Sequence, residues 1–472
     1  MIKTASINSD TSFHRKIWSV YLLSGFQSLA FSGIIILIVP LSFLFWPNDP
    51  YHALEMGILI SILFWLSSIG GLLFGILIDK QSRKLLLFII SLFRGMSIFM
   101  LGFAIAGKGI ETWTYFLVFI IIFGFFAGGA WPAIVSLSND IIPKEHRSRF
   151  FGILGILWSL FNTFGFIFAS IAFQFGYWRA FFWIIGLSIV IAGINLYIHI
   201  KEPKRGAQRE ELSDILKDDS IKYDFKIDKK LTRKTMLSKT NKVALFEGIS
   251  TNILMGSVVL MILPYIQTEP HNLSPLFTGI YMAVFGLTGG LLGRLYLAKL
   301  SDKLCADHPI RRIYFVILAL SIGITSFAVV FFLPLPHLTK AQGKDIFFVF
   351  TMPMIWIMGA LFFTSSTISS LYLTNQAPIL QEINLPEAQG KITSWNQLLE
   401  RIGFGIGPIL VGILLTISYL NYQFTILIIV LFIIPGILLW TLALKWYPQD
   451  SNDIKMILKE RAEILKSRNK SL

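Results

Sequence analysis

Charge is scarce in this 472-residue chain: only 14% of its residues are Asp, Glu, Lys or Arg. Soluble domains carry roughly 25%, so a water-soluble enzyme with a large core is excluded. Cysteine is scarcer still, and the single Cys305 rules out a disulfide framework or a cysteine-based metal site. The seven His residues are scattered and form no ligand cluster with Asp. No nucleophile motif and no Gly-Lys-Ser/Thr phosphate loop occurs, so ATP is not the energy source within the chain. No cofactor and no metal are expected, and the protein reads as a non-enzyme.

What the chain has in quantity is apolar length. It is 54% hydrophobic and 14% aromatic, and apolar runs of about 20 residues, each enough for a spanning helix, recur throughout. The first run is too long for a signal-peptide core and lacks a cleavage motif, so it reads as a span. Twelve spans are placed at Ile17–Phe45, Met56–Ile78, Leu85–Ala106, Tyr115–Leu137, Phe150–Phe173, Ala180–Ile200, Val243–Ile266, Leu276–Ala298, Ile313–Leu333, Phe347–Leu373, Ile392–Ile417 and Gln423–Leu444. The fold class is therefore an all-α membrane protein of six plus six helices. Residues 1–200 form a first bundle, 201–241 a charged central loop, 242–445 a second bundle and 446–472 a tail. In the tail, Ile454, Ile457, Ile464 and Leu465 lie among Lys and Glu, the pattern of an amphipathic surface helix.

The net charge of +14 does not point to nucleic acid, because the bases collect in alternate loops. Of 41 Lys and Arg, 34 fall on the side of the termini and only Lys108, Arg179, Lys340 and Lys344 on the other. By the positive-inside rule both termini are cytoplasmic. The remaining three, Arg94, Arg294 and Arg401, lie within spans.

The halves echo each other. Gly70-Gly71-Leu72-Leu73 precedes Asp79-Lys80, and Gly289-Gly290-Leu291-Leu292 precedes Asp302-Lys303. After span 4 comes Asp140-Ile141-Ile142-Pro143-Lys144-Glu145; after span 10 comes Glu382-Ile383-Asn384-Leu385-Pro386-Glu387. Repeated six-helix halves are characteristic of transporters working by alternating access.

Between spans 2 and 3 stands Gly75-x-x-x-Asp79-Lys80-x-x-Arg83-Lys84, one acid and three bases in a short turn. In this setting it resembles the signature of the major facilitator superfamily, and the resemblance extends over essentially the whole chain. It implies two helical bundles rocking around a midplane cavity, with Asp79 and Arg83 latching cytoplasmic helix ends and Asp140 as their usual partner. Gly75 lies one turn before Asp79 on the same face, where a missing side chain permits close helix contact. In the second half the acid is Asp302, and the bases are displaced to Arg311 and Arg312.

Within the superfamily the chain looks most like the spinster-like branch. The residues that carry this are Asp140-x-x-Pro143-x-x-x-Arg147, Trp178-Arg179, Lys201-Glu202-Pro203-Lys204-Arg205-Gly206, and Asn384-Leu385-Pro386-Glu387-x-x-Gly390 followed by Gly405-x-Gly407-Pro408. The branch is associated with proton-coupled transport of lysolipids or sphingoids. Two departures matter. Ser24-Gly25-Phe26-Gln27 stands where an Asp-Arg pair is usual in helix 1, and Gly128-Gly129-Ala130 where Gly-Glu-Ala is usual in helix 4. The customary proton acid is thus absent.

Polar groups inside spans are functional candidates by default. Arg94 near mid-depth serves either a substrate anion or a structural pair between helices. Trp395, Asn396, Glu400 and Arg401 cluster in span 11, and Glu400 is the best candidate for a proton site. Gln27, Asn162 and Asn252 serve either cavity hydrogen bonding or interhelical contact. Glu247, a turn into span 7, is expected to reach cytoplasmic water, and Arg294 to snorkel to the surface.

The sequence thus reads as a secondary transporter of an organic solute, amphipathic or lipid-like. Multidrug efflux and a non-transporting receptor are the alternatives. The partners are a small-molecule or lipid substrate, the bilayer, and a proton or other ion gradient; a monomer in the plasma membrane is expected. If the charged turn is a latch, Asp79→Asn or Arg83→Ala impairs flux in proteoliposomes while insertion and substrate binding persist. Wild-type flux in either mutant would return the turn to a topology signal.

Overall fold

The computed structural model describes residues 2–78, 80–142, 147–202, 229–385 and 388–470. Twelve helices in them are long and apolar enough to cross a membrane. In chain order they are α1 (Ile2–Ile36), α2 (Ala53–Ile78), α3 (Arg83–Leu101), α4 (Ile110–Ile141), α5 (Arg147–Gln174), α6 (Trp178–His199) and α7 (Lys239–Gln267). Then come α8 (Pro275–Cys305), α9 (Arg311–Phe332), α10 (Pro353–Glu382), α11 (Gln389–Ile417) and α12 (Tyr422–Arg461). The first expected span is in fact two helices, because a turn at Leu37 separates α1 from a short helix Ile38–Phe45. Pro40, lacking an N–H, cannot donate back to Ile36 and so interrupts the helical ladder there.

The chain divides into two compact units, 1–217 with 274–280, and 218–273 with 281–472. In the first, α1 packs on α5, α2 on α4 and α3 on α6. The second uses the same pairings, α7 with α11, α8 with α10 and α9 with α12. The start of α8 belongs to the first unit, where the Ser170 hydroxyl of α5 donates to the Pro275 carbonyl at 3.1 Å.

Between membrane helices, packing and close approach must replace the hydrophobic drive that water supplies, and small residues make that approach possible. The first glycine of the repeated Gly-Gly pair does this in both units. A side chain at Gly70 would strike the Phe125 carbonyl of α4, and one at Gly128 the Ser67 carbonyl of α2. In the second unit, a Cβ at Gly289 would lie 2.6 Å from the Phe363 carbonyl of α10. Gly256, Gly403 and Gly407 seat α7 against α11 in the same way. Gly75 does not: a Cβ there would meet nothing within 4 Å, so the close contact expected of it is not made in this structure. Helix α8 also contains two wide π-helical stretches, Met282–Leu287 and Gly293–Leu297.

The tail differs from its expectation. It belongs to the same helix as the second part of α12, Ile434–Lys470, and Ile454 is buried. Tyr447 and Ser451 donate to the Glu382 carboxylate at 2.5 and 2.9 Å, and Asp450 accepts from the Thr240 N–H at the start of α7, 2.9 Å. Ile454 thus packs against protein, while the side chains of Ile464 and Leu465 lie outside the described residues.

Overpacking a tight helix contact costs about 1–3 kcal/mol. Gly128→Val is therefore expected to lower the thermal stability of the purified protein by that order, and Gly75→Ala to leave it unchanged. Equal melting shifts in the two variants would contradict the packing described.

Candidate functional site

The charged turn ends at the N-terminus of α3, whose first backbone N–H groups have no partner within the helix. Ser82 caps it, accepting from the Leu85 N–H at 3.4 Å. Two of the remaining donors are taken by Glu202, which follows α6 and lies more than a hundred residues away. Its carboxylate accepts from the Arg83 N–H at 3.1 Å, the Lys84 N–H at 2.9 Å, the Ser82 hydroxyl at 2.8 Å and the Arg83 Nε at 2.9 Å. An anion at a helix N-terminus also meets the positive end of the helix dipole. The Arg83 side chain is only 2% exposed and donates further to the Ser136 carbonyl of α4 at 3.4 Å. Lys84 sits over the Tyr197 ring of α6, 4.6 Å from its centroid. One carboxylate thus fastens α3 to the end of α6, and Arg83 extends the tie to α4.

Lys80 is exposed. Asp79 and the side chain of Asp140 lie outside the described residues, so the expected Asp79–Arg83–Asp140 arrangement rests on the sequence. In the sequence Glu202 stands in the run Lys201-Glu202-Pro203-Lys204-Arg205-Gly206 after span 6, and an isolated acid among bases at a span end is the signal that marks it.

The second unit has its own version. Asp302 of α8 accepts from Arg312 of α9 at 2.8 Å, and Arg312 also donates to Asn375 of α10 at 3.1 Å. Of the two displaced bases, Arg312 therefore still reaches the acid, while Arg311 donates to the Leu304 carbonyl at 3.0 Å. Nearby, Asn241 and Asn384 exchange hydrogen bonds of 3.0 and 2.8 Å, joining the start of α7 to the end of α10.

Deeper in the helices the candidates separate. Arg94 is 5% exposed, stacks its guanidinium on the Phe123 ring of α4 at 4.8 Å, and has a buried Nε with no hydrogen-bond partner. Among the described residues it has no ion pair, so the structural-pair alternative finds no carboxylate. Gln27 is buried with its Nε2 unpartnered, and Asn162 is half-buried. Asn252 donates to the Gly248 carbonyl of its own helix at 2.8 Å. In α11, Trp395 is exposed and Asn396 is buried, donating to Glu400 at 2.6 Å. Arg401 is half-buried beside Glu400.

Glu247 is the correction. Expected to reach water, it is 0% exposed. Helix α7 begins at Lys239, capped by Ser238, four residues before the expected start. Glu247 therefore lies more than two turns in, at 3.6 residues per turn. Thr251 donates to one of its oxygens, and the Tyr372 hydroxyl of α10 to the other at 3.1 Å. Gln376 in turn donates to the Tyr372 oxygen at 3.0 Å. Tyr372 and Gln376 were missed, although two polar side chains four apart in an apolar span mark one helix face.

Partial burial would raise the pKa of Glu202. The Lys84 N–H, the Arg83 side chain, the Ser82 hydroxyl and the Arg83 N–H outweigh that and hold it below the ordinary glutamate value. A depressed folded-state pKa means the clamp stabilises fully above the unfolded glutamate pKa of about 4.3 and fades as pH falls through the lower folded value. Glu202→Gln is accordingly expected to cost about 2–3 kcal/mol at neutral pH, as for loss of a charge-assisted network around a buried arginine. Melting curves taken from neutral to acid pH check this: the wild-type advantage should shrink below about pH 4.3, and an advantage that persists there would contradict the clamp.

Residues 17–378 match the family model of the Major Facilitator Superfamily. A bacterial homolog to the human lysosomal transporter Spinster, solved in an inward-facing and occupied conformation, superposes with a TM-score of 0.69 over 92% of this chain and 97% of that one, at 15% identity. The nucleoside transporter NupG superposes with a TM-score of 0.62 over 91% of this chain and 98% of that one, at 13% identity. In sequence, 138 residues are 25% identical to a putative glycerol-3-phosphate transporter 1 of Arabidopsis thaliana, covering 29% of this chain. That match spans about a quarter of the plant protein's length, 26%. The structural likenesses concern the fold; the family match takes in more than half the chain, which belongs to the Major Facilitator Superfamily of transporters.

Proposed function

We propose that the protein is a secondary active transporter of an amphipathic organic anion, lysolipid-like in character, working by alternating access. The observation that supports this best is Arg94, a guanidinium buried in the first unit against Phe123 and without a carboxylate partner among the described residues. Holding an unpaired cation inside a span is expensive. A transient anion compensates for that cost when it binds, and a planar guanidinium suits carboxylate or phosphate oxygens. The aromatic wealth of the spans suits an apolar tail. The spinster-like motifs and the fold likeness to a Spinster homolog point the same way.

The distribution of basic residues supports cytoplasmic termini, and a plasma-membrane setting is proposed with them. The Arg83–Glu202 clamp and the Asp302–Arg312 pair are proposed to hold the cytoplasmic helix ends of each half in register during the cycle, together with Gly75, Asp79, Lys80, Lys84 and Asp140. Gln27, Asn162, Asn252, Trp395, Asn396 and Arg401 are proposed as substrate contacts.

Flux into proteoliposomes tests the reading, with anionic lysolipids, zwitterionic lysolipids, cationic drugs, nucleosides and sugars presented in turn under an imposed pH gradient. Anionic amphipaths should move, Arg94→Gln should slow them about tenfold or more, as for one charge-assisted hydrogen bond of about 1.5–3 kcal/mol, and Arg94→Lys should retain part of the rate. Transport of cationic drugs alone would establish the efflux alternative. Binding with no flux under any gradient would establish a receptor.

A further inference from the structure

The polar core of the second unit holds two acids, Glu247 on α7 and Glu400 on α11, each held by its own hydrogen-bonded side chains. Thr251 and Tyr372 each donate a hydroxyl hydrogen bond to the Glu247 carboxyl, and Gln376 donates to Tyr372 at 3.0 Å. Glu400 accepts from Asn396 at 2.6 Å, and a Cβ at Gly248, the residue after Glu247, would lie 3.2 Å from the Glu400 Cγ. We propose that Glu247 and Glu400, brought together where Gly248 of α7 meets α11, form one proton-binding site, and that Glu247 holds the proton when the site is closed.

Enclosure is the first argument. Glu247 is fully buried, and among the described residues no Lys, Arg or His pairs with it. Glycines back both acids. A Cβ at Gly436 of α12 would come within 3.4 Å of the Glu247 Cγ, and one at Gly248 within 3.2 Å of the Glu400 Cγ. An isolated buried carboxylate is costly, whereas the neutral acid is not. The charged and titratable groups facing the pair are few. Tyr372 stands on α10 and Arg401 beside Glu400 on α11, while α12 presents the buried, uncharged indole of Trp440.

Reversibility is the second. Hydroxyls both donate and accept, so Thr251 and Tyr372 can donate to a carboxylate, and Thr251 can instead accept from the protonated acid. Both states stay hydrogen-bonded. A buried polar atom next to the acids is also unspent, the Asn396 Oδ1, which would lie 3.6 Å from a Cβ at Gly248. It gives the pair room to exchange partners when the proton leaves.

A proton suits the site better than a metal cation does. The Asn396 amide N–H and the hydroxyl hydrogens of Thr251 and Tyr372 are aimed at the carboxyl oxygens, where a cation would need oxygens converging on it. Neighbouring carboxyls also resist holding two charges at once. The site's existence stands apart from the transport reading; only its use, as the coupling site that the first bundle lacks, rests on it.

Infrared difference spectra of the purified full-length protein in lipid nanodiscs, recorded through a pH titration, test the site directly. Wild type should show a protonated-carboxyl stretch that titrates. Glu247→Gln should remove it, and Glu400→Gln should keep it while shifting its midpoint by about one pH unit, a tenfold change in proton affinity. Tyr372→Phe should change its frequency. The idea is overturned if Glu247→Gln leaves the band intact, if Glu400→Gln leaves the midpoint unmoved, or if sodium at constant pH abolishes the band. Should Glu247→Gln not yield folded protein, Glu247→Asp and Tyr372→Phe decide, and a band unmoved by both overturns the site. A band behaving as expected in a protein whose flux ignores the pH gradient would defeat the coupling and leave the site standing.

Discussion

In a bilayer, a backbone or side-chain polar group has no water to turn to, so each must be satisfied inside the protein or justify its cost by function. The rest of this structure follows from that constraint. Backbone groups are satisfied by making nearly every apolar run a helix. Helices then associate by close packing, and the glycines at α2–α4, α8–α10 and α7–α11 let backbones approach where any side chain would collide. Charge is moved to the helix ends, where Glu202 gathers the orphan donors of α3 and Asp302 holds Arg312.

This makes the exceptions informative. Arg83 and Arg94 are both buried arginines in the first unit, only eleven residues apart. Arg83 has a carboxylate on its Nε and a carbonyl on its NH1, and reads as an element of structure. Arg94 has an aromatic face and an orphan Nε. Cation–π contact contributes about 0.5–2 kcal/mol, which is small beside the cost of an unpaired intramembrane charge. The imbalance is what separates a residue waiting for a ligand from one already satisfied.

The sequence exposed the features governed by local chemistry. Span number, the Gly-Gly repeats and the charged turn all depend on residues near each other in the chain, and the described residues hold twelve apolar helices with the first glycine of each repeat at an equivalent contact. Long-range partners were another matter. Nothing near Arg83 announces Glu202, because a helix-end acid more than a hundred residues on finds it only through the α3–α6 packing. Glu247 was misjudged through a boundary: four residues added to the start of α7 turn an acid near the surface into one in the core. Gly75 was misjudged the other way, since a glycine one turn from an acid suggests contact, yet the space beside it is open.

The same reasoning explains why the second unit is the place to look for proton chemistry. Helix α4 offers Gly129 where an acid is customary, and a Cβ there would lie 2.5 Å from the Phe74 ring. The position is filled by packing and has no room for a carboxyl group without displacing α2. On the opposite side of the repeat, Gly248 and Gly436 leave space against acids already present. A small residue that closes one helix contact forbids a site; the same residue beside an enclosed acid permits one. Glycine placement therefore decides both how the helices meet and where a buried charge can be taken up or given back.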